Sequence, residues 1–311
     1  MPNSDSLISI VIPVFNEEAN IKPLLDKLLP IVKDLRSEII FVNDGSKDNT
    51  ASEIKKYAKK DQKIKLISFL RNFGHQMALS AGYLQAAGDC VISMDADLQD
   101  PPELITKMID QWQKGFKIVY AKREKRDESF FKKITASIFY RLINSLSDTP
   151  IPTDVGDFRL LDKDVVELLN KFPERSRFLR GLVAWGGFSS NEVTFERKKR
   201  IHGITHYPLS KMINFALDGI VSFSTKPLKI ATYLGFFTSF FGLLGMLYAI
   251  YRRFFLPHDY WVTGWTALFV AIVFFGGVQL LTIGIIGEYI GKIYKEIQSR
   301  PQYLIKEKVN L

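Results

Sequence analysis

The sequence predicts an α/β fold with a mainly parallel sheet, followed by interfacial amphipathic helices and a two-helix transmembrane hairpin. Three observations predict it. Short apolar runs alternate with helix-period segments through the first third of the chain, the pattern of parallel strands joined by covering helices. Two basic segments, about 129–147 and 209–226, carry apolar residues at helical spacing, as helices lying in a membrane interface do, a pattern that a helix packed on the sheet would share. Two stretches without formal charge, Ile230–Tyr251 and Trp261–Gly287, are each long enough to cross a hydrocarbon core of roughly 30 Å.

The elements follow in order. Leu7–Val14 is an apolar run closed by a turn signal, and reads as the first strand. Asn16 is placed to cap a helix over Glu17–Leu35, whose apolar face is Ile21, Leu24, Leu25, Leu28 and Leu29. Glu38–Val42 is a second strand, Asn43–Ser46 a loop, and Thr50-Ala-Ser-Glu53 has the spacing of a capping box. Lys65–Phe69 is a third strand, and a helix over Gln76–Ala87 leads to a strand at Cys90–Met94. Asp100-Pro-Pro-Glu103 reads as the capped start of the next helix, and Phe116–Tyr120 as the strand beyond it. Ser147–Gly156, rich in Pro, Asp and Thr, reads as a loop carrying Asp157.

In the membrane part, a buried charge near mid-bilayer costs about 2.5–3.5 kcal/mol on insertion scales, so two uncharged stretches read as spans. Lys226, Lys229, Lys292, Lys295 and Arg300 flank the base of the hairpin and outnumber Arg252 and Arg253 in its turn, which places the base in the cytoplasm. Gly284, Gly287 and Gly291 form a small-residue stripe that suits close approach of the first span or of another subunit, so a homo-oligomer is expected. The expected organisation is a cytoplasmic α/β domain over 1–208, an interfacial helix over 209–226, the hairpin over 227–291 and a cytoplasmic tail over 292–311.

Composition narrows the functions. The chain has 311 residues and a formal net charge of +9, which suits anionic lipid, nucleic acid or a polyphosphate substrate. No zinc-finger spacing or RNA-binding signature is present, and much of the basic charge lies just before the spans, which favours the membrane over nucleic acid. A single cysteine, Cys90, excludes an internal disulfide framework and reads as core packing. Met1–Leu7 has no Lys or Arg, and the apolar run after it ends in Asn16-Glu17-Glu18, so no signal peptide is read there.

Ligands of parallel sheets bind beyond the carboxyl ends of the strands, where Pro13–Glu17, Asn43–Ser46 and Asp95–Gln99 all fall. Asp95 and Asp97 form a hard oxygen site for Mg²⁺ or Mn²⁺, with Gln99 placed to hold a water or a diphosphate oxygen. An EF-hand loop starting at Asp95 would need Gly and Glu where Asp100 and Thr106 stand, so that reading fails. Asp44, with Pro13, Phe15 and Glu17 beside it, is suited to a nucleotide base or ribose.

Val11-Ile-Pro13-Val-Phe15-Asn-Glu17, Val42-Asn-Asp44-Gly-Ser46 and Met94-Asp-Ala-Asp97-Leu-Gln99 together resemble the signature of family 2 glycosyltransferases of the GT-A fold. Asp97-Leu-Gln-Asp-Pro-Pro-Glu103 and the paired spans resemble the dolichol-phosphate mannosyltransferase branch and its bacterial members that glucosylate undecaprenyl phosphate. The resemblance implies that Pro13, Phe15, Glu17 and Asp44 hold the nucleotide, and that Asp95, Asp97 and Gln99 hold the metal and diphosphate. It implies a catalytic role for Asp157 as base, as sugar-orienting group or as partner of Arg159. Arg197–Tyr207 resembles the family's basic loop over the active site, with His206 where many members have Lys. Arg200 is thereby a catalytic candidate. Arg197, Lys198, Arg200 and His206, with Arg123, Lys132 and Lys133, are candidates for the acceptor phosphate. His75, in Arg71–His75, resembles a donor-side segment or simply opens a helix.

The implied reaction moves a hexose, glucose from UDP-glucose, onto undecaprenyl phosphate at the cytoplasmic face, with a flippase as a further partner. Two alternatives stay open: elongation of a glycan, and a non-catalytic nucleotide-sugar-binding partner of a flippase.

Overall fold

The computed structural model describes residues 6–124, 155–175, 177–196, 224–255 and 264–311. The candidates Lys132, Lys133, Arg197, Lys198, Arg200 and His206, the side chain of Arg123 and both expected interfacial helices (the second up to residue 223) lie outside them.

The α/β domain is built on one eight-stranded sheet: β1 (Ile8–Val14), β2 (Ser37–Asn43), β3 (Ile64–Phe69), β4 (Cys90–Ser93), β5 (Ile118–Glu124), β6 (Val155–Asp162), β7 (Ser190–Glu196) and β8 (Ile305–Val309). Its order is β7-β5-β6-β4-β1-β2-β3-β8. β4, β1, β2 and β3 run parallel, so their carboxyl ends share one edge. β6 runs antiparallel to β4 and β5, and β8 antiparallel to β3.

Helices α1 (Glu18–Val32), α2 (Thr50–Ala58), α3 (His75–Gln85) and α4 (Leu104–Gln113) connect the first strands, and α5 (Lys163–Lys171) and α6 (Leu179–Trp185) follow β6. The two apolar clusters sort as period-two strands require. Ile10, Ile12, Ile39 and Phe41 pack with Ile21, Leu24 and Leu28 of α1, while Val11, Ile40 and Val42 pack with Ala78 and Leu79 of α3. Gly82 lets α3 lie directly on β1, since a Cβ there would come within 2.2 Å of the Val11 side chain. Cys90 is buried in the core, where burial pushes its thiol pKa up and leaves it inert.

Three helix starts differ from expectation. Asn16 does not cap α1; its backbone adopts φ 56° and its side chain accepts from the Lys47 amide, tying the β1 loop to the β2 loop. The Thr50–Glu53 capping box does not form. Asp48 organises that start instead, accepting from the Thr50 amide and hydroxyl and from the Glu18 amide. At α4, Glu103 occupies the cap position in helical geometry with no side-chain capping bond. In the first two cases a bond between neighbouring loops displaces the local cap.

Of two long helices, α7 (Lys226–Phe255) contains the first expected span and outruns it, while α8 (Trp265–Ile297) starts within the second, whose residues 261–263 lie outside the described residues, and runs ten residues beyond its expected end. Both are long and apolar enough to cross a membrane. The Tyr289 hydroxyl donates to the Ser224 carbonyl at 2.6 Å, so the end of α8 lies beside the start of α7. A Cβ added at Gly284, Gly287 or Gly291 would meet nothing within 4 Å, so the first span does not fill that stripe. The expected C-terminal tail is partly strand: after α8 the chain returns to the α/β domain and adds β8 to the edge of its sheet.

Candidate active site

Three loops meet at the shared carboxyl edge, and backbone-directed bonds tie the first two, after β1 and β2, together. The Asn16 amide donates to Ser46 Oγ at 2.9 Å and the Glu17 amide to Thr50 Oγ1 at 2.9 Å. Glu18 accepts from the Asn49 amide and side chain. Phe15 projects from this joint and is 42% exposed, as a ring that stacks on a base would be. Pro13 is buried within β1, behind the joint. Glu17 accepts a bond from the Asn20 side chain.

Asp44, just after β2, is buried. Its two carboxylate oxygens accept from the Phe73 and Gly74 amides at 2.7 and 2.9 Å. Burial raises its carboxyl above the ordinary value, only partly offset by those amides and by His75 and Arg71. Asp44 therefore shapes the segment before α3, leaving its remaining lone pairs for a ligand. Gly45 is required here: its φ is 71°, and a Cβ would come within 2.3 Å of the Arg71 backbone.

Beyond β4, Asp95 is half-exposed and Asp97 buried, with Asp97 Oδ1 accepting from the Gln99 amide at 3.1 Å. Leu98 between them has φ 57°, which turns the chain sharply enough to make that bond. Among the described residues no set of three His, Cys, Asp or Glu side chains forms a closed metal cage. Two carboxylates at an open edge fit a hard divalent cation that completes its shell with water and phosphate oxygens.

Asp157 lies in strand β6, not in a loop, and the antiparallel course of β6 brings it to the same edge. Arg180 grips it with both ends of its guanidinium, Nε at 3.2 Å and Nη2 at 3.0 Å. His75 Nε2 stands 3.4 Å from Asp157 and 3.7 Å from Asp95, bridging the two carboxylates. Arg159 is fully buried, its Nη2 3.7 Å from Asp157. Burial opposes the charge on Asp157, but Arg180, then His75 and Arg159, outweigh it and hold the carboxyl well below the usual carboxylate range. Burial likewise opposes the His75 imidazolium, yet the Asp157 hydrogen bond and the charge of Asp95 push its pKa up to about 9. A cation on Asp95 would work against that shift.

The structure thus brings Pro13, Phe15, Glu17, Asp44, Asp95, Asp97, Gln99 and Asp157 to one edge. It adds Arg180, which the sequence did not single out. Nothing local marks it, because the partner stands 23 positions away on another element. The arrangement offers two open-edge carboxylates and a fixed anion, with Arg180 and His75 at the mouth of the sheet and Arg159 buried behind them, which suits transfer from a phosphate leaving group.

Comparison with known proteins agrees. Residues 9–169 match the model of Glycosyl transferase family 2. The chain is 44% identical over 304 residues to the SfII prophage-derived bactoprenol glucosyl transferase of Shigella flexneri, covering 96% of this chain and 97% of that one. It is 43% identical over 303 residues to the prophage bactoprenol glucosyl transferase homolog of Escherichia coli (strain K12), covering 96% and 98%. Among solved structures, glucosyl-3-phosphoglycerate synthase from Mycobacterium tuberculosis, in complex with Mn²⁺, uridine diphosphate and glucosyl-3-phosphoglycerate, superposes with a TM-score of 0.50. It is 18% identical and covers 70% of this chain and 78% of that one, a likeness of GT-A fold alone. The chain is a glycosyltransferase and belongs to glycosyl transferase family 2.

Proposed function

We propose that this glycosyltransferase moves glucose from UDP-glucose to undecaprenyl phosphate at the cytoplasmic face of the membrane, giving a polyprenyl-phosphate sugar for surface-glycan modification. One observation carries the acceptor: the relatives named bactoprenol glucosyl transferases match across the membrane hairpin as well as the α/β domain. The fold supports the sidedness, because the base of the hairpin, which carries Lys226, Lys229, Lys292, Lys295 and Arg300, meets the α/β domain where Glu296 accepts the Arg175 amide.

In this reading Phe15, Glu17 and Asp44 receive the nucleotide at the joined loops, with Pro13 fixing the strand end. Asp95, Asp97 and Gln99 hold Mg²⁺ or Mn²⁺, which when bound neutralises the departing diphosphate. An oxygen of the acceptor phosphate attacks the anomeric carbon while that carbon's bond to the diphosphate oxygen breaks, with inversion. A phosphate monoester has its second pKa at about 6, so the acceptor is largely dianionic at neutral pH and gives up no proton. Asp157, held ionised by three cations, orients Arg180 and His75 rather than carrying a proton. Arg123, Lys132, Lys133, Arg197, Lys198, Arg200 and His206 supply the positive charge that keeps the acceptor phosphate beside the donor.

The proposal includes a homo-oligomer packed through the open glycine stripe and a flippase that takes the product. Its test is transfer of labelled sugar from UDP-glucose to undecaprenyl phosphate by detergent-purified protein, with and without EDTA. A labelled lipid product that disappears with EDTA is expected. Product from another nucleotide sugar alone would correct the donor, and no lipid product from any donor would overturn the acceptor.

A further inference from the structure

The segment after the second membrane helix reaches back to the site from behind. Tyr303 stacks on Phe69 with ring centroids 4.8 Å apart and planes 15° from parallel. Phe69 in turn meets Phe73 edge-on at 5.7 Å, and the Arg71 guanidinium lies 4.2 Å over the Phe73 ring. The next residue, Leu304, accepts the Leu70 amide at 3.0 Å, and β8 pairs along β3 from Phe69 to Leu66. Two residues past Arg71, the Phe73 and Gly74 amides bind Asp44, and His75 touches Asp95 and Asp157.

The same segment touches the other approach to the site. Gln302 donates to the Glu174 carbonyl at 2.9 Å, and Glu296 at the end of α8 accepts the Arg175 amide, five residues before Arg180. Farther along, the contacts turn structural: Lys55 pairs with Glu307, and Asn310 donates to the carbonyls of Ala58 and Ile64.

Gly74, with φ 101°, needs support to keep Phe73 and His75 in place, because nothing in its own conformation favours that turn for a flexible residue. We propose that Tyr303 is a positioning residue of the transfer reaction, holding the donor-side segment Arg71–His75 through its stack on Phe69 and the edge-on Phe69–Phe73 contact, and thereby linking the membrane hairpin to the active site. This rests on the reading of the strand-end site as the donor site. The working part is the ring: no hydrogen bond of the Tyr303 hydroxyl enters the chain of contacts.

Four full-length proteins in detergent test it: wild type, Tyr303→Ala, Tyr303→Phe and Asn310→Ala. Hydrogen exchange is followed at the amides of Arg71–Met77, and donor KM and kcat are measured in the transfer assay. In Tyr303→Ala these amides should exchange about tenfold faster, and donor KM should rise about tenfold with a smaller change in kcat. Tyr303→Phe should restore both. Asn310→Ala, which loosens the far end of β8, should lower the melting temperature while leaving exchange at Arg71–Met77 and KM unchanged. Wild-type exchange in Tyr303→Ala, failure of Tyr303→Phe to restore it, or equal loosening by Asn310→Ala would each overturn the proposal. Should the wild type transfer no sugar, the functional reading fails, and the exchange comparison still decides the role of Tyr303.

Discussion

The two edges of the sheet use carboxylates in opposite ways. At the amino edge, Glu38 is buried and saturated: Ser9 Oγ at 2.5 Å, Lys65 Nζ at 2.6 Å and the Ala87 amide at 2.8 Å all donate to it. Asp162 at the same edge takes the Trp112 indole at 2.7 Å, Lys117 at 2.9 Å and the Asp164 amide at 3.0 Å. At the carboxyl edge, Asp95 stays half-exposed, and Asp157 is gathered beside cations that themselves reach the opening. Strand β6 makes the contrast within a single element, with Asp157 near one end and Asp162 at the other. A parallel sheet separates stability from chemistry by direction, and an antiparallel strand can serve both.

Breaking the carboxyl edge should cost turnover and spare stability. Asp97→Ala is expected to have the largest effect, about 10³-fold in kcat, the loss of several kcal/mol of charge neutralisation at the leaving group. Its thermal melt should stay within a few degrees of wild type. Wild-type turnover in a metal-controlled assay would remove Asp97 from the proposed site. Arg180→Leu comes next, at about 100-fold in kcat, with Arg180→Lys recovering only part because a single ammonium cannot reproduce the two-point grip. Equal activity of the two variants would mean that charge alone matters there.

Breaking the amino edge should do the reverse. Glu38→Gln is expected to cost about 2 kcal/mol of stability in denaturant titration at unchanged KM. Asp162→Asn is the smallest and carries a pH signature. Burial opposes the charge on Asp162, but Lys117 and Trp112 hold its carboxyl below the ordinary value. Its contribution is therefore complete above the unfolded carboxyl pKa of about 3.9 and is lost as pH falls through the lower folded value. The stability gap between wild type and Asp162→Asn, about 1.5 kcal/mol at pH 7, should close on acidification. A gap that persists at the acid limit would assign the effect to packing instead.

The first four strands and the helices between them were legible because their burial is local and periodic. The strand-end loops carrying Asp44, Asp95 and Asp97 followed from the parallel connectivity. Strand β6 was not legible, since Asp157 and Arg159 interrupt the apolar run that marks a strand. Strand β8, Ile-Lys-Glu-Lys-Val, is an exposed edge whose charges look like a tail until β3 is beside it. Two helix caps failed for a related reason: Asn16 and Thr50 found partners on neighbouring loops, the Lys47 amide and the Glu17 amide. Arg180 was hidden because its meaning lies in a contact between elements.

Strand β8 also bears on how the protein is made. Synthesis runs from the amino end, so β3 leaves the ribosome long before β8, with both long apolar helices between them. Until β8 emerges, β3 is an uncovered edge able to pair with any other chain. Final closure of the sheet therefore waits on the two long apolar helices, and an enzyme halted in translation before Ile305 would carry both candidate membrane spans without a sealed sheet.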